Sequence, residues 1–422
     1  MDSEATWGEK LFTVLAILFF SRAFFRSLSG LRDVNAGTPE GSLLGNILWV
    51  CLYLTSIWLL QTRCGGFWAS LSNLRPFFLL YGIVLASATW SDVPLTSLMR
   101  FGTLLATACF ALYLGVRYSF KMQLRLFGWA YGSAAILSAV FSLLFPAYSI
   151  GTGSYEGMWM GIYTDKNTLG SSMSIGFIVF LLLAYCYPAK RWYFRALAVL
   201  AVVLIVLANS ATSMIECVAM CWVIPFLTRL QPSDRPRRKF SLYVLAIIGL
   251  LLFLAPVVFF DQVLALLGRD PGLTGRVLMA GLTTEFIAQR PLLGYGYYAF
   301  WRGTDGPLGE YWAAGVGNNT FDYLNVWLDL GIGGFVVFFA TVLYTVRRAF
   351  RQLRRSQRRE DIWPLLYFSW LFIYSLSEAV FGSNTEMWMI FVALATTLYA
   401  QETARVRDKK FGLPSQVASA EA

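Results

Sequence analysis

Apolar residues dominate the chain in windows long enough to cross a bilayer, for which about 20 mainly apolar residues are needed, and such windows recur along nearly its whole length. Twelve spans are predicted, at 11–28, 42–61, 76–91, 96–116, 124–146, 168–187, 194–209, 211–229, 241–260, 323–346, 362–381 and 385–401; the third and seventh are short. The polar connections between them are brief, with one exception. Asp261 to Asp322 is the only long hydrophilic stretch, and a loop of that length among short ones points to function. Within it, Arg276 to Gln289 carries apolar residues near helical spacing and predicts a helix lying on the bundle. The fold class expected is all-α, a polytopic integral membrane protein of about 12 transmembrane helices with one long outer loop. Its parts are nine spans over 1–260, a loop domain over 261–322, three spans over 323–401 and a tail over 402–422.

Composition agrees that the bilayer is the solvent. The 422 residues are 57% hydrophobic and only 14% charged, with a mean hydropathy of +0.58. A soluble protein carries roughly a quarter charged residues, so several water-facing domains are excluded. Histidine is absent, which removes the commonest metal ligand and the usual acid/base group near neutral pH. The net charge of +10 does not mark a nucleic-acid binder, because the basic residues punctuate apolar runs instead of clustering on one face. The six cysteines form no CxxC pair and read as small apolar residues inside helices, so neither a disulfide framework nor a metal site is expected. Met1 to Gly8 is acidic and no small-residue cleavage site follows the first apolar run, so no cleavable signal is expected.

Cytoplasmic connections retain Lys and Arg, and with the N-terminus inside, the inner segments hold 25 of the 34. Both termini are therefore expected in the cytoplasm. Arg22, Arg26 and Arg32 follow the first span and break the rule, so either that span is tilted or re-entrant or these cations have a task outside. The other outer cations are Arg100, Lys166, Arg269, Arg276, Arg290 and Arg302.

Three outer segments carry candidate chemistry. Gly161 to Gly170 holds Asp165, Lys166 and Asn167 at the entry to the sixth span, where Asn167 or Thr168 also suits a helix N-cap. In the long loop, Arg276 and Arg290 lie fourteen residues apart, about 21 Å along one face of a continuous helix. Their planar forks suit a pyrophosphate, and an ion pair with Asp270 or Glu285 is the plainer alternative. Gly294 to Ala299 echoes a dinucleotide fingerprint, but no strand precedes it; a tight turn beside an aromatic ledge ending at Trp301 fits better. The third segment, Asn318 to Gly334, spaces Asp322, Asn325 and Asp329 along one helical face. A carboxylate inside a span is expensive unless it faces the interior or water, which marks Asp329, with Glu378 and then Glu216 next.

Together these segments resemble the O-antigen ligase/polymerase superfamily of bacterial inner-membrane glycan transferases, most closely its ExoQ-like exopolysaccharide-production branch, over about residues 155–390. GIYTDKNTLG is similar to that branch's GxxxHKNxLG; LTGR with QRPLLGYGYYAFW to GR…RPLxGxGxxxFW; TFDYLNVWLDLGIGG to HNxYLxxxLxLGxxG; and SEAVF…N…W, from Ser377 to Trp388, also fits. Asp165 and Thr320 stand where the branch usually has histidine, and losing the second histidine favours polymerization over ligation.

The resemblance implies a GT-C-like helical fold and a Wzy-type polymerase in the bacterial inner membrane. It also implies glycosyl transfer at the periplasmic face that needs neither metal nor cofactor. A growing glycan would leave undecaprenyl pyrophosphate for a sugar hydroxyl on another lipid-linked repeat unit. Arg276 and Arg290 are the first candidates to hold the leaving pyrophosphate, supported by Lys166 and Arg100. Asp322, Asp165 and Asp329 are candidate bases, with Glu378 beside them; Asn167, Thr320 and Trp301 complete the substrate contacts. The partners implied are the undecaprenyl-pyrophosphate-linked oligosaccharide, membrane lipid, a chain-length regulator and export machinery, with no nucleic acid. Competing readings are a ligase acting on a lipid or protein acceptor and a lipid-linked sugar flippase.

Overall fold

A computed structural model describes residues 5–24, 43–64, 74–232, 276–301, 322–376, 378, 380–382 and 385–411, without the side chains of 154, 276–279, 322 and 404–411. The expected ninth span, Thr320, Arg26, Arg32, Arg269 and Arg302 lie outside these residues. Twelve principal helices occur among them: α1 Trp7–Phe20, α2 Leu43–Arg63, α3 Arg75–Ser87, α4 Pro94–Arg117, α5 Phe120–Leu144, α6 Lys166–Cys186, α7 Arg191–Leu207, α8 Ala211–Leu230, α9 Arg276–Gln289, α10 Asp322–Arg355, α11 Trp363–Ser375 and α12 Glu386–Phe411. No strand occurs among the described residues, only an isolated bridge between Ile150 and Trp159.

Local sequence sets the helix starts. Thr6 and Ser119 accept backbone N–H groups at the N-termini of α1 and α5. Proline enters at the first turn of α3, α4 and α11, where its missing N–H has no intrahelical acceptor to lose. Six helices, α2, α4, α5, α6, α8 and α10, are long and apolar enough to cross a membrane. Their outer surfaces present Leu54, Trp58, Val218 and Leu343. An aqueous surface would penalise such apolar area, whereas lipid tails accept it. The protein is thus an all-helical, multi-pass membrane protein.

The bundle is organised around α6, whose most apolar window is 78% buried against 33% for α8. It packs on α5, α7, α8 and α11, while α4 packs on α2 and α12, and α10 on α3. Up-and-down connections sort the helix ends onto two faces. One face gathers the C-terminal ends of α1, α7 and α11, the N-terminal ends of α4, α6, α8, α10 and α12, and the segment 290–301. The opposite face is rich in basic residues. There Glu9 bridges Arg117 and Arg63, both at 3.1 Å, and Arg348 pairs with Glu402 at 2.8 Å.

One correction concerns the first span. Helix α1 stops at Phe20, well short of position 28. Ser21 caps it, Arg22 takes a left-handed backbone with φ 63°, and the Phe24 N–H donates to the Ile162 carbonyl at 2.9 Å. The chain therefore turns onto the bundle, which accounts for a cation placed after the first apolar run.

Candidate functional site

Five helix ends converge on a cavity of about 270 Å³ at the face opposite the basic one. Its wall includes Arg22 from the turn after α1, Asp165 and Asn167 at the start of α6, Ser210 and Ser213 at α8, and Glu378, Thr385 and Glu386 between α11 and α12. Asp165 is the N-cap of α6, not Asn167 or Thr168. Its Oδ1 accepts the Asn167 and Thr168 N–H groups, both at 2.9 Å, and its Oδ2 accepts the Thr164 hydroxyl at 3.2 Å and the Thr168 hydroxyl at 2.6 Å. A carboxylate engaged by four donors is held in place as a cap. Lys166 turns away from the cavity; its Nζ donates to the Asn209 carbonyl at 3.4 Å and lies 5.5 Å from the centre of the Tyr155 ring.

Glu386 is a wall residue that reading the sequence overlooked. It is buried, and its carboxylate accepts the Tyr131 hydroxyl at 3.2 Å and the Ser172 hydroxyl at 3.1 Å. The signal was present: a carboxylate opens the last apolar run, where an acid favours the helix N-terminus. Glu216 sits deeper. The Ser174 hydroxyl and the Trp370 indole N–H donate to it, and it does not line the cavity.

A second group surrounds the segment after α9. Pro291 to Phe300 lies against a kink in α10, where Gly331 takes φ 67° and ψ −173°. Gly294 (φ 68°) and Gly331 interlock, since a Cβ on either would overlap backbone of the other's segment. The Tyr295 and Gly296 N–H groups donate to the Leu328 and Asp329 carbonyls, both at 2.9 Å, and the Trp327 indole donates to the Pro291 carbonyl at 3.1 Å. Asp329 is buried, and its Oδ2 accepts the N–H of Tyr298, a residue held at φ 59°; its Oδ1 has no partner among the described residues. Asn325, one turn earlier, accepts the Trp301 indole N–H at 3.1 Å. The spacing of Asn325 and Asp329 thus serves to seat the ledge.

On this ledge, Arg100 lies 5.0 Å from the centre of the Tyr298 ring and Arg290 lies 4.6 Å from that of Tyr295. Arg290 pairs with Asp92 at 2.7 Å, a partner distant in sequence on the same face, and not with Glu285; the other expected partner, Asp270, lies outside the described residues. The Asp92 carboxylate, hydrogen-bonded to it, raises the guanidinium above its usual range, so Arg290 stays ionised. Burial pushes the neighbouring Tyr295 phenol upward as well. Arg276 opens α9 and Asp322 opens α10, as expected, but their side chains lie outside the described residues.

The two groups are neighbours. Phe381 packs on Tyr297 with ring centres 5.7 Å apart, and a Cβ at Gly382 would stand 2.9 Å from the Tyr298 hydroxyl. Four residues further, Thr385 and Glu386 face the cavity. Residues 380–382 therefore border an arginine and aromatic ledge, and residues 385–387 the carboxylate-lined cavity.

The chain matches the Wzy_C family, described as O-Antigen ligase, over residues 196–339, from α7 through the ledge to the kink of α10. It is also 28% identical over 180 residues to the exopolysaccharide production protein ExoQ of Rhizobium meliloti (strain 1021). That match covers 40% of this chain and 40% of the relative's length. Over these stretches the chain is similar to the O-antigen ligase family and to ExoQ.

Proposed function

We propose that the protein is a polysaccharide polymerase, moving glycan from undecaprenyl pyrophosphate to a hydroxyl of a lipid-linked repeat unit at the outer face of the bacterial inner membrane. The observation that carries this reading is the closeness of a carboxylate-lined cavity, bordered by residues 385–387, to an arginine and aromatic ledge bordered by residues 380–382. In addition, the non-glycine residues with left-handed backbone among those described, Arg22, Phe24, Asn209 and Tyr298, all lie at this one face. Such strain is typically retained at functional sites.

In the proposed reaction the bond from the anomeric carbon to the diphosphate oxygen breaks and its electron pair leaves with the diphosphate. The acceptor oxygen bonds to that carbon and its proton passes to a carboxylate. Arg100 and Arg290 supply fixed positive charge where the leaving group develops negative charge and need no reorganisation to do so, with Arg276 on α9 as a third cation for the diphosphate. Tyr295, Tyr298 and Trp301 offer ring faces to the sugar. The cavity takes the acceptor, with Asn167 and Glu378 binding hydroxyls and Glu386 receiving the proton. Asp165 fixes the start of α6 and Asp329 the ledge around it. Because a pyrophosphate leaves readily, a carboxylate suffices where relatives carry histidine, and neither metal nor cofactor is needed in this reading.

The Wzy_C description as O-Antigen ligase supports a second reading, transfer of finished glycan to a lipid or protein acceptor. Purified protein in vesicles with lipid-linked repeat units alone separates them. Elongation into a ladder supports the polymerase, no product without an added acceptor supports the ligase, and translocation at constant glycan length overturns both.

A further inference from the structure

We propose that the basic face carries a binding site for an anionic phospholipid, between α6, α7, α8 and the short 3-10 helix Arg359–Ile362. A second cavity lies there, of about 400 Å³, within the ~300–1,000 Å³ typical of small-molecule pockets. Three of its lining residues are arginines, Arg191, Arg195 and Arg359, and none of the lining residues is acidic. The remainder is largely apolar, including Leu181, Ala184 and Ile224.

Two properties select the ligand. The first is uncompensated charge. Among the described residues none of the three arginines forms an ion pair, and Glu360, next in sequence to Arg359, does not line the cavity. The three are instead fixed by rings and backbone. Arg191 and Arg195, one turn apart on α7, lie 5.3 and 4.9 Å from the centre of the Trp192 ring. Arg359 donates to the Tyr185 carbonyl at 2.6 Å and lies 4.7 Å from the Tyr185 ring centre. Forks held this way leave N–H donors for a phosphate.

The second property is depth. Leu181 lies about 7.5 Å from the end of α6 at Cys186, and Cys221 about 13.5 Å from the end of α8 at Leu230, at 1.5 Å per residue. Arg191 and Arg359 thus sit at the rim, Arg195 lies one turn, about 6 Å, into α7, and apolar wall runs further inward along α8, the polarity of a lipid phosphate with its acyl chain. A free inorganic anion would use the rim and leave the apolar wall uncovered. Basic pockets between spans are known to take anionic headgroups.

The full-length protein, purified in detergent, is incubated with phosphatidylglycerol, with phosphatidylcholine of the same chains, or with inorganic phosphate, and retained lipid is counted by native mass spectrometry. Phosphatidylglycerol should be retained in preference to phosphatidylcholine. Each arginine is worth roughly fivefold in affinity, so R191Q/R195Q/R359Q should lower it on the order of a hundredfold. Ala184→Trp fills the apolar wall, keeps every charge, and should reduce phosphatidylglycerol retention in a monodisperse preparation. Equal retention of the two lipids by the wild-type chain overturns the proposal. So does unchanged retention in the triple variant, or in A184W should the triple variant not fold. Competition by millimolar phosphate, with A184W binding lipid normally, also overturns it, assigning the rim to a free anion.

Discussion

Gly331→Ala tests whether the ledge depends on the kink in α10. The backbone there, φ 67° and ψ −173°, falls in a region that is essentially glycine-only. A Cβ at this position would overlap the Leu292 carbonyl and stand 2.6 Å from the Leu293 nitrogen, both backbone groups that no side-chain rotation relieves. Backbone strain contributes about 1–3 kcal/mol and overpacking about 1–3 kcal/mol more, so the native arrangement is destabilised by roughly 2–6 kcal/mol. The chain's escape is to lift Pro291–Phe300 off α10, which moves Arg290 and Tyr295. A displacement near 1 Å at a site of this kind is worth about 10²-fold in rate. Gly333, two residues on, is the control, because a Cβ there meets nothing within 4 Å. Gly333→Ala should be neutral or up to about 1 kcal/mol stabilising, since alanine is the better helix former. The assay is thermal unfolding in detergent together with glycan elongation in vesicles. Unchanged elongation and melting temperature in G331A would refute the interlock.

Three further outcomes are expected. Glu386→Gln keeps hydrogen-bonding groups for Tyr131 and Ser172 but cannot take a proton; elongation should fall about 10²–10⁴-fold with the melting temperature nearly unchanged, and normal turnover would remove Glu386 as the base. Arg117→Ala leaves the buried Glu9 with only the half-exposed Arg63 as partner, and unfolding in detergent should show a loss of up to about 3–5 kcal/mol, whereas E9Q/R117Q, with no buried charge left over, should lose less. The Asp92–Arg290 pair is partly exposed, so Asp92→Asn should change stability by no more than about 1 kcal/mol; a collapse in melting temperature would show that the contact holds the ledge by itself.

The helices were legible because bilayer solvation writes long apolar runs directly into the chain. Trp7–Phe20 through Ala211–Leu230, and again Asp322–Arg355 onward, each overlap an expected span. The loop helix was legible too, starting at Arg276 and ending at Gln289. What local pattern could not show was pairing at long range. Arg290 meets Asp92 at a separation of 198 residues, and nothing near either residue encodes it. Lys166 looked like an outer cation beside Asp165, yet it is buried, because the cap at Asp165 turns the first side chain of α6 toward Asn209. Glu386 escaped notice because its Tyr131 and Ser172 partners come from other helices. The GIGG motif was visible as a pattern, but its purpose depends on Leu292 backbone lying against Gly331, a contact that exists only once the bundle has formed.

The central claim is that the cavity and the ledge hold the two substrates of one transfer. Photo-crosslinking tests it most directly, using a lipid-linked repeat unit that carries a diazirine on its sugar, followed by peptide mapping of the labelled protein. The account predicts label on 165–171, 290–301 and 378–387 together, lost on competition with unlabelled substrate. Competed label confined to the basic face, or to the lipid-facing surfaces of α2 and α7, would contradict it.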